Sequence, residues 1–340
     1  MTVAIAVDDQ GLANKVAWLC RAESYRDAAE IVSIETHMSW VFLTDGHAYK
    51  LKKPVRHDYL DFSTIAAREH YCREEVRLNQ PLAPGVYLGV VPLTQNTRGE
   101  IELDGSGEVI DWLVKMRRLD RQRMLDRLVK ARAPLQAPVR GVIETLARFY
   151  REAPAAAVGP SAYLHRCEEG LKLNRRLLLD PILDLPKERV AAVHDGLLAW
   201  QRQAPEYLAA RAGRLVEGHG DLRPEHICLE TPPIIYDRLE FNRDFRIVDP
   251  WEEIAFLAME CERLDAADLA AFILEIYGQQ GADRVPAALC DYYMAVRACV
   301  RARLAARHVL DRPRPLWPHW LEEASEYLQI AERHWQACQH

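Results

Sequence analysis

Leu215-Val-Glu-Gly-His-Gly-Asp-Leu-Arg-Pro-Glu-His-Ile-Cys-Leu229, followed by Ile234-Ile-Tyr-Asp-Arg-Leu-Glu-Phe241, is the stretch on which the reading of this chain turns. It lies in a segment, 215–250, rich in Gly, Pro, Asp and short apolar runs, with long helical patterns on both sides. Ile227 to Leu229 and Ile234 to Tyr236 read as two short strands around a Thr231-Pro-Pro turn. A hairpin of that size would bring the loop before the first strand beside the end of the second. Asp221 and Asp237, 16 positions apart, are then expected at one end of it.

Two carboxylates and a cation in that arrangement suit phosphoryl transfer. One carboxylate must orient or deprotonate the acceptor hydroxyl. A second acidic ligand must hold Mg²⁺ on nucleotide phosphates, and positive charge must offset what builds on the transferred group. Asp221 suits the first role, Asp237 the second, and Arg223 part of the third. His219 is expected to hold the loop by hydrogen bonds to backbone. Asp249 precedes Pro250 and a helical pattern, so N-capping is its expected task.

Outward from this stretch, the first third of the chain is strand-rich and the rest helix-rich. Residues 12–20 and 24–30 read as short helices, and 31–33, 40–44 and 48–51 have strand character. Asp45-Gly46 is a hairpin turn signal. Helical periodicity runs over 62–80, with Ser63 as the expected N-cap and Pro81 and Pro84 as stops. Strands follow near 86–93 and 109–116. Helical patterns then cover 140–152, 161–179, 187–212, 252–263, 266–278, 285–309 and 318–337. The face carrying Tyr292, Tyr293, Val296 and Val300 is expected to be core.

His219-Gly-Asp-Leu-Arg-Pro-Glu-His226 resembles the catalytic loop of the aminoglycoside phosphotransferase family, which is similar to that of protein kinases. His47-Ala-Tyr-Lys-Leu51 resembles the strand carrying that family's phosphate-pairing lysine. Cys72-Arg-Glu-Glu-Val-Arg-Leu-Asn79 resembles the helix with its partner glutamate. The matches are in order over about residues 30–260. Thr-His-Met-Ser-Trp at 36–40 and Lys-Leu-Lys-Lys-Pro at 50–54 are similar to an uncharacterised bacterial branch, some members of which carry an added P-loop kinase domain. No GxxxxGK[ST] motif occurs in this sequence.

The resemblance implies an α+β, protein-kinase-like fold of two lobes. These are a β-rich, nucleotide-binding N-lobe over 1–117 and a mostly helical C-lobe over 118–340 with the catalytic loop and acceptor site. It implies an ATP-dependent phosphotransferase acting on a hydroxyl of a small molecule. Asp221 and Arg223 would be catalytic, Lys50, Glu75 and Met116 would bind the cofactor, and Asp237 and His226 would bind the metal, Mg²⁺ or Mn²⁺. Glu75 is preferred to Glu74 as partner of Lys50. His226 stands five residues after Asp221, where the family has a metal-binding Asn, and imidazole suits Mg²⁺ less well than oxygen ligands do. No glycine-rich loop precedes Lys50. Two other readings stay open: a non-catalytic kinase-like nucleotide-binding module, and a metal-dependent hydrolase using His219, Asp221, His226 and Asp237, without an HExxH pair.

Bulk properties fit this picture. The 340 residues exceed one small core, and 49% hydrophobic with 28% charged is the balance of a globular protein. A net charge of −6 gives no basic field for nucleic acid, although Lys50 to Lys53 form a local basic cluster. There is no run of about 18 apolar residues, so no membrane span is expected. MTVAIAVDDQ lacks the basic and long apolar regions of a signal peptide. The eight cysteines form no CxxC pair. Reduced thiols and a cytoplasmic location are expected, with a nucleotide and a small-molecule acceptor as partners and the oligomeric state open.

Overall fold

The computed structural model of the chain describes residues 9–57, 59–280, 284–311 and 314–339. Met1 to Asp8, most of the stretch read above as lacking signal-peptide features, lie outside them.

Helix α1 (Asp9–Leu19) precedes strands β1 (Val32–Glu35), β2 (Ser39–Leu43), β3 (His47–Lys52), β4 (Arg56–His57) and β5 (Leu60–Asp61). Helix α2 (Ile65–Asn79) and strands β6 (Tyr87–Gln95), β7 (Ile101–Leu103) and β8 (Glu108–Arg117) follow. Next come α3 (Leu125–Lys130), α4 (Gln136–Glu152), α5 (Pro160–Leu178), α6 (Lys187–Gln203), α7 (Pro205–Ala209), β9 (Val216–Glu217), β10 (Ile227–Cys228) and β11 (Ile234–Ile235). The chain ends with β12 (Ile247–Val248), α8 (Pro250–Arg263), α9 (Ala267–Gln279), α10 (Ala287–Asp311) and α11 (Trp317–Ala337).

The residues form two compact units: Met1–Arg123 with Ile234–Phe245, and Met124–Pro233 with Arg246–His340. Asp237 thus belongs to the first unit and Asp221 to the second. The mixture of antiparallel sheet and separate helices is of the expected α+β class.

The first unit is built on a six-stranded antiparallel sheet in the order β1-β2-β3-β8-β6-β7. The β2–β3 hairpin turns at Asp45-Gly46, where the Thr44 amide donates to His47 O at 2.9 Å. Alternation along β3 sends Tyr49 and Leu51 into a core with Leu19, Phe42, Leu93 and Leu113. It sends Lys50 and Lys52 to the other face, where both reach a side chain of α2. Thr64, not Ser63, caps α2: its hydroxyl accepts from the Ala67 amide at 3.1 Å, while Ser63 Oγ donates to Asp61. Residues 24–30 do not form the expected helix beyond a 3-10 turn at Ala22–Ser24. There Asp27 pairs with His47 and accepts from Thr44, a side-chain bond that competes with helix formation.

The second unit is helical. The periodic run at 187–212 is two helices, because Pro205 cannot donate to the preceding turn. Most of α8 is buried, including Trp251, Ile254, Phe256, Leu257 and Met259. Asp249 caps it by accepting from the Trp251 amide at 3.1 Å. Arg211 grips the same carboxylate bidentately at 2.7 and 2.8 Å, and the Tyr293 hydroxyl donates to it at 2.7 Å. Tyr292 and Tyr293 are core, as expected. All eight cysteines are free thiols, and among the described residues no helix is long and apolar enough to cross a membrane.

Candidate functional site

Lys50 is the centre of the first unit's polar cluster. Its ammonium donates to Glu75 Oε1 and to Asp237 Oδ1, both at 2.8 Å, so residues 25 and 187 positions away meet on one nitrogen. Lys52 donates to Glu75 Oε2 at 2.6 Å and also to Glu240. Glu75 and Lys52 are fully buried, whereas the Asp237 side chain is 37% exposed. Burial alone would favour neutral Lys50, but the carboxylates of Asp237, Glu75 and Glu240 outweigh it and hold the ammonium well above the ordinary lysine range. Burial likewise opposes ionised Glu75, and Lys50 and Lys52 overcome it, lowering that carboxyl. The group stays charged because every member is paired.

Local backbone fixes Asp237. Its φ of 63° lies in the left-handed region, which Asp tolerates better than most side chains. Its amide donates to the Tyr87 hydroxyl at 3.1 Å. The next residue, Arg238, is tied to the end of α2: its amide donates to Asn79 Oδ1 at 2.9 Å and its guanidinium to Leu78 O. Asn79 in turn donates to Glu75 O at 2.8 Å. Helix α2 therefore places both Glu75 and, through its C-terminus, the Asp237 segment. Met116 is buried in β8, in register with Ala48 of β3 and Tyr87 of β6.

In the second unit the loop from Gly218 to His226 is organised by Glu253 of α8. The His219 amide donates to Glu253 Oε2 at 2.8 Å, the Gly220 amide to Oε1, and the Tyr150 hydroxyl to Oε2 at 2.8 Å. Burial raises the Glu253 carboxyl, and these three donors oppose that rise. A Cβ on Gly218 would fall 2.4 Å from Glu253 Oε2, so this close approach requires glycine. Gly220 takes a φ of 90°.

The loop holds Asp221 among cations. Arg223 Nε donates to Asp221 Oδ2 at 3.2 Å. Burial would raise the Asp221 carboxyl, but Arg223, His226, Arg301 and His219 lower it to about 2. His219 accepts the Asp221 amide on Nδ1 at 3.3 Å, the loop-holding task expected of it, and its ring stacks on His226 with centroids 5.9 Å apart. His226 Nδ1 donates to Asp221 O at 2.8 Å, while its Nε2 lies 3.3 Å from Arg223 Nη2. Both imidazole nitrogens are thus engaged, and a metal at Nε2 would have to displace the guanidinium.

The structure gathers Lys50, Glu75 and Asp237 in one cluster, and Asp221, Arg223 and His226 in another. Glu74 turns away and pairs with Arg77 on the surface of α2. Sequence reasoning missed Glu253 and Lys52 as partners in these clusters; Glu240, read from the sequence as a residue that could shape the site, pairs with Lys52. Glu253 shares the helical pattern of α8 with buried apolar residues, and an acid on that apolar face was the available signal. Among the described residues, no group of three or more His, Cys, Asp or Glu side chains could hold a metal ion.

No protein-family model matches the chain. Uncharacterised proteins of Mycobacterium tuberculosis and Mycobacterium bovis are 32% identical to it over 328 residues, 93% of this chain and 62% of theirs. The chain thus spans less than two thirds of the length of these curated relatives. Among solved structures, a choline/ethanolamine kinase family protein from Mesorhizobium loti aligns with a TM-score of 0.56 at 16% identity, over 97% of this chain and 99% of that one. A thermostable mutant of an aminoglycoside phosphotransferase aligns with a TM-score of 0.53 at 11% identity, over 97% and 99%. A glucosamine kinase aligns with a TM-score of 0.50 at 15% identity, over 89% and 74%. The chain has the protein-kinase-like fold that these choline kinase, aminoglycoside phosphotransferase and glucosamine kinase structures share.

Proposed function

We propose that this protein is a kinase-type phosphotransferase that moves a phosphoryl group from ATP to a hydroxyl of a small molecule. The observation that carries the reading is the meeting of Glu75 and Asp237 on the Lys50 ammonium. A strand lysine fixed by a buried helix glutamate is poised for phosphate, and a partly exposed Asp facing a cation is poised for a metal. The cluster sets three carboxylates against two ammonium groups, an excess of negative charge that a hard divalent cation fits. Asp237 is the residue to hold it, with His226 the second candidate on the strength of the family pattern. Magnesium-bound ATP would supply the transferable phosphoryl group and charge neutralisation. Met116 would line the nucleotide site.

Asp221, held to about 2, is ionised throughout the physiological range. It accepts the hydrogen bond of the acceptor hydroxyl, aims that oxygen, and takes its proton as the new bond forms. Arg223 keeps Asp221 ionised and offers positive charge beside it. Resemblance to antibiotic and choline kinases leaves the acceptor open, because one fold hosts many acceptors.

Calorimetry with ATP, with and without Mg²⁺, followed by a metabolite-extract phosphorylation screen with labelled ATP, tests the reading. Metal-dependent ATP binding with transfer to an extract component supports it. Binding without metal or transfer favours the non-catalytic module, a reading to which the engaged nitrogens of His226 lend weight. Stoichiometric zinc without nucleotide affinity would favour the hydrolase.

A further inference from the structure

Asp237 sits between two backbone amides that are both held by other elements of the first unit. Its own amide donates to the Tyr87 hydroxyl of β6 at 3.1 Å. The following amide, of Arg238, donates to Asn79 Oδ1 at the end of α2 at 2.9 Å. Peptide units are planar, so the first amide sets the plane before the Asp237 Cα and the second sets the plane after it. With both planes fixed, φ and ψ of Asp237 are fixed, and with them the direction of its Cβ. The φ of 63° so imposed is disfavoured for a residue with a side chain and persists where its surroundings over-determine it.

The two jaws of this clamp are tied to each other. Tyr87 and Asn79 are both buried. Gln80, next to Asn79, donates to Tyr87 O at 3.1 Å, and the Leu82 and Ala83 amides donate to Asn79 O at 3.2 and 2.8 Å. Asn79 Nδ2 reaches back to Glu75 O at 2.8 Å. We propose that Tyr87 and Asn79 are positioning residues for a metal ligand. They hold Asp237 in a backbone conformation that its own preference opposes, with its carboxylate on Lys50 before nucleotide or metal arrives. The inference rests on the function proposed above, in which Asp237 holds the metal. Because the Asp237 backbone is ordered before binding, the clamp strengthens the metal-dependent part of nucleotide affinity and changes the metal-free part much less.

Each jaw can be opened separately. Tyr87→Phe removes one hydroxyl and leaves the ring in the core. Asn79→Ala opens the other jaw and also loosens the end of α2; where it fails to fold, Tyr87→Phe decides. Calorimetry with ATP, with and without Mg²⁺, reads the effect. In each folded variant the ratio of Mg-ATP to metal-free ATP affinity should fall by at least about threefold, the scale of one lost hydrogen bond. In an Asp237→Ala background, Tyr87→Phe should leave that ratio unchanged, because the clamp acts through the Asp237 carboxylate.

Hydrogen exchange over residues 236–240, measured without ligand, should be faster in Tyr87→Phe than in wild type. Unchanged exchange overturns the inference. So does a folded Tyr87→Phe variant with the wild-type affinity ratio. An equal fall of the ratio with and without Asp237 overturns it too, because Tyr87 would then be a general support of the unit. These three outcomes leave the functional reading standing. Wild-type ATP affinity that is indifferent to Mg²⁺ overturns the functional reading itself, whatever the exchange shows.

Discussion

The two clusters keep charged groups in place by opposite means. In the first unit, five side chains from β3, α2 and the segment after β11 hold one another, and burial makes Lys52 and Glu75 depend on the rest. In the second, one buried acid, Glu253, gathers two backbone amides and a tyrosine hydroxyl, and the loop so fixed presents Asp221 beside Arg223. Ion pairs between side chains can trade partners with an incoming charged ligand. A backbone held by buried hydrogen bonds cannot trade without unfolding locally. The comparison teaches that the first cluster is suited to binding and the second to aiming.

The most severe way to break the second cluster's role is Asp221→Asn. It should leave fold and nucleotide affinity intact but lower transfer by at least about 10²-fold, the scale of losing a general base. Unchanged turnover in steady-state kinetics would remove Asp221 from the chemistry. Because its carboxyl lies at about 2 when folded, below its unfolded value, Asp221 contributes stability above about pH 4 that is lost as pH falls towards 2. An acid limb of activity near neutral pH therefore belongs to another group, and a limb that vanishes in Asp221→Asn would contradict this.

Next is the support beneath it. Glu253→Ala strands two loop amides and the Tyr150 hydroxyl and should destabilise the chain by about 3 kcal/mol or more. Denaturant unfolding checks this; a loss under about 1 kcal/mol would mean the loop does not hang on α8. The matching probe of the first cluster, Asp237→Ala, should weaken Mg-ATP binding by about tenfold while changing metal-free ATP binding much less. Calorimetry showing equal Mg-ATP affinity would take Asp237 out of the metal site.

Smaller effects sharpen the picture. His334 of α11 bridges Asp291 of α10 at 2.8 Å and Glu262 of α8 at 2.9 Å, and Arg333 shares Glu262. Burial would lower its pKa, but the two acceptors raise it to about 9. A raised folded pKa means stability fully present below about pH 6.5 and lost as pH rises through about 9. His334→Gln should therefore lower the Tm by several degrees at pH 6 and by less at pH 10, away from either polar cluster. A pH-independent Tm difference would refute the charged bridge. The smallest effect is expected of His226→Asn. If imidazole binds the metal, the change shifts preference from Mn²⁺ towards Mg²⁺. If the ring only ties Asp221 O to Arg223, the Mg/Mn activity ratio stays constant and stability alone moves.

The sequence by itself determined the elements and the chemistry-bearing types. Periodicity of 2 or 3.6 is local, so α4, α5, α8, α9, α10 and α11 and β1, β2, β3, β6 and β8 of the sheet fall close to where their patterns end, whereas the three-residue β7 is too short to show a period. The HisGlyAsp loop and the Tyr-Lys strand were legible because they resemble a family pattern of particular residues at fixed spacing. Local competition was harder to read. Thr64 rather than Ser63 caps α2, and Asp27 spends its side chain on His47 and Thr44 instead of a helix at 24–30. Only the tertiary structure decided which charges meet. Glu74 and Glu75 are chemically identical neighbours, separated only by the 100° that one residue turns on a helix; Glu75 is buried against Lys50 and Lys52, and Glu74 is left to Arg77. Glu253 looked like an ordinary acid until folding removed water from around it. Burial is a property of everything packed about a residue, and no window of sequence contains it.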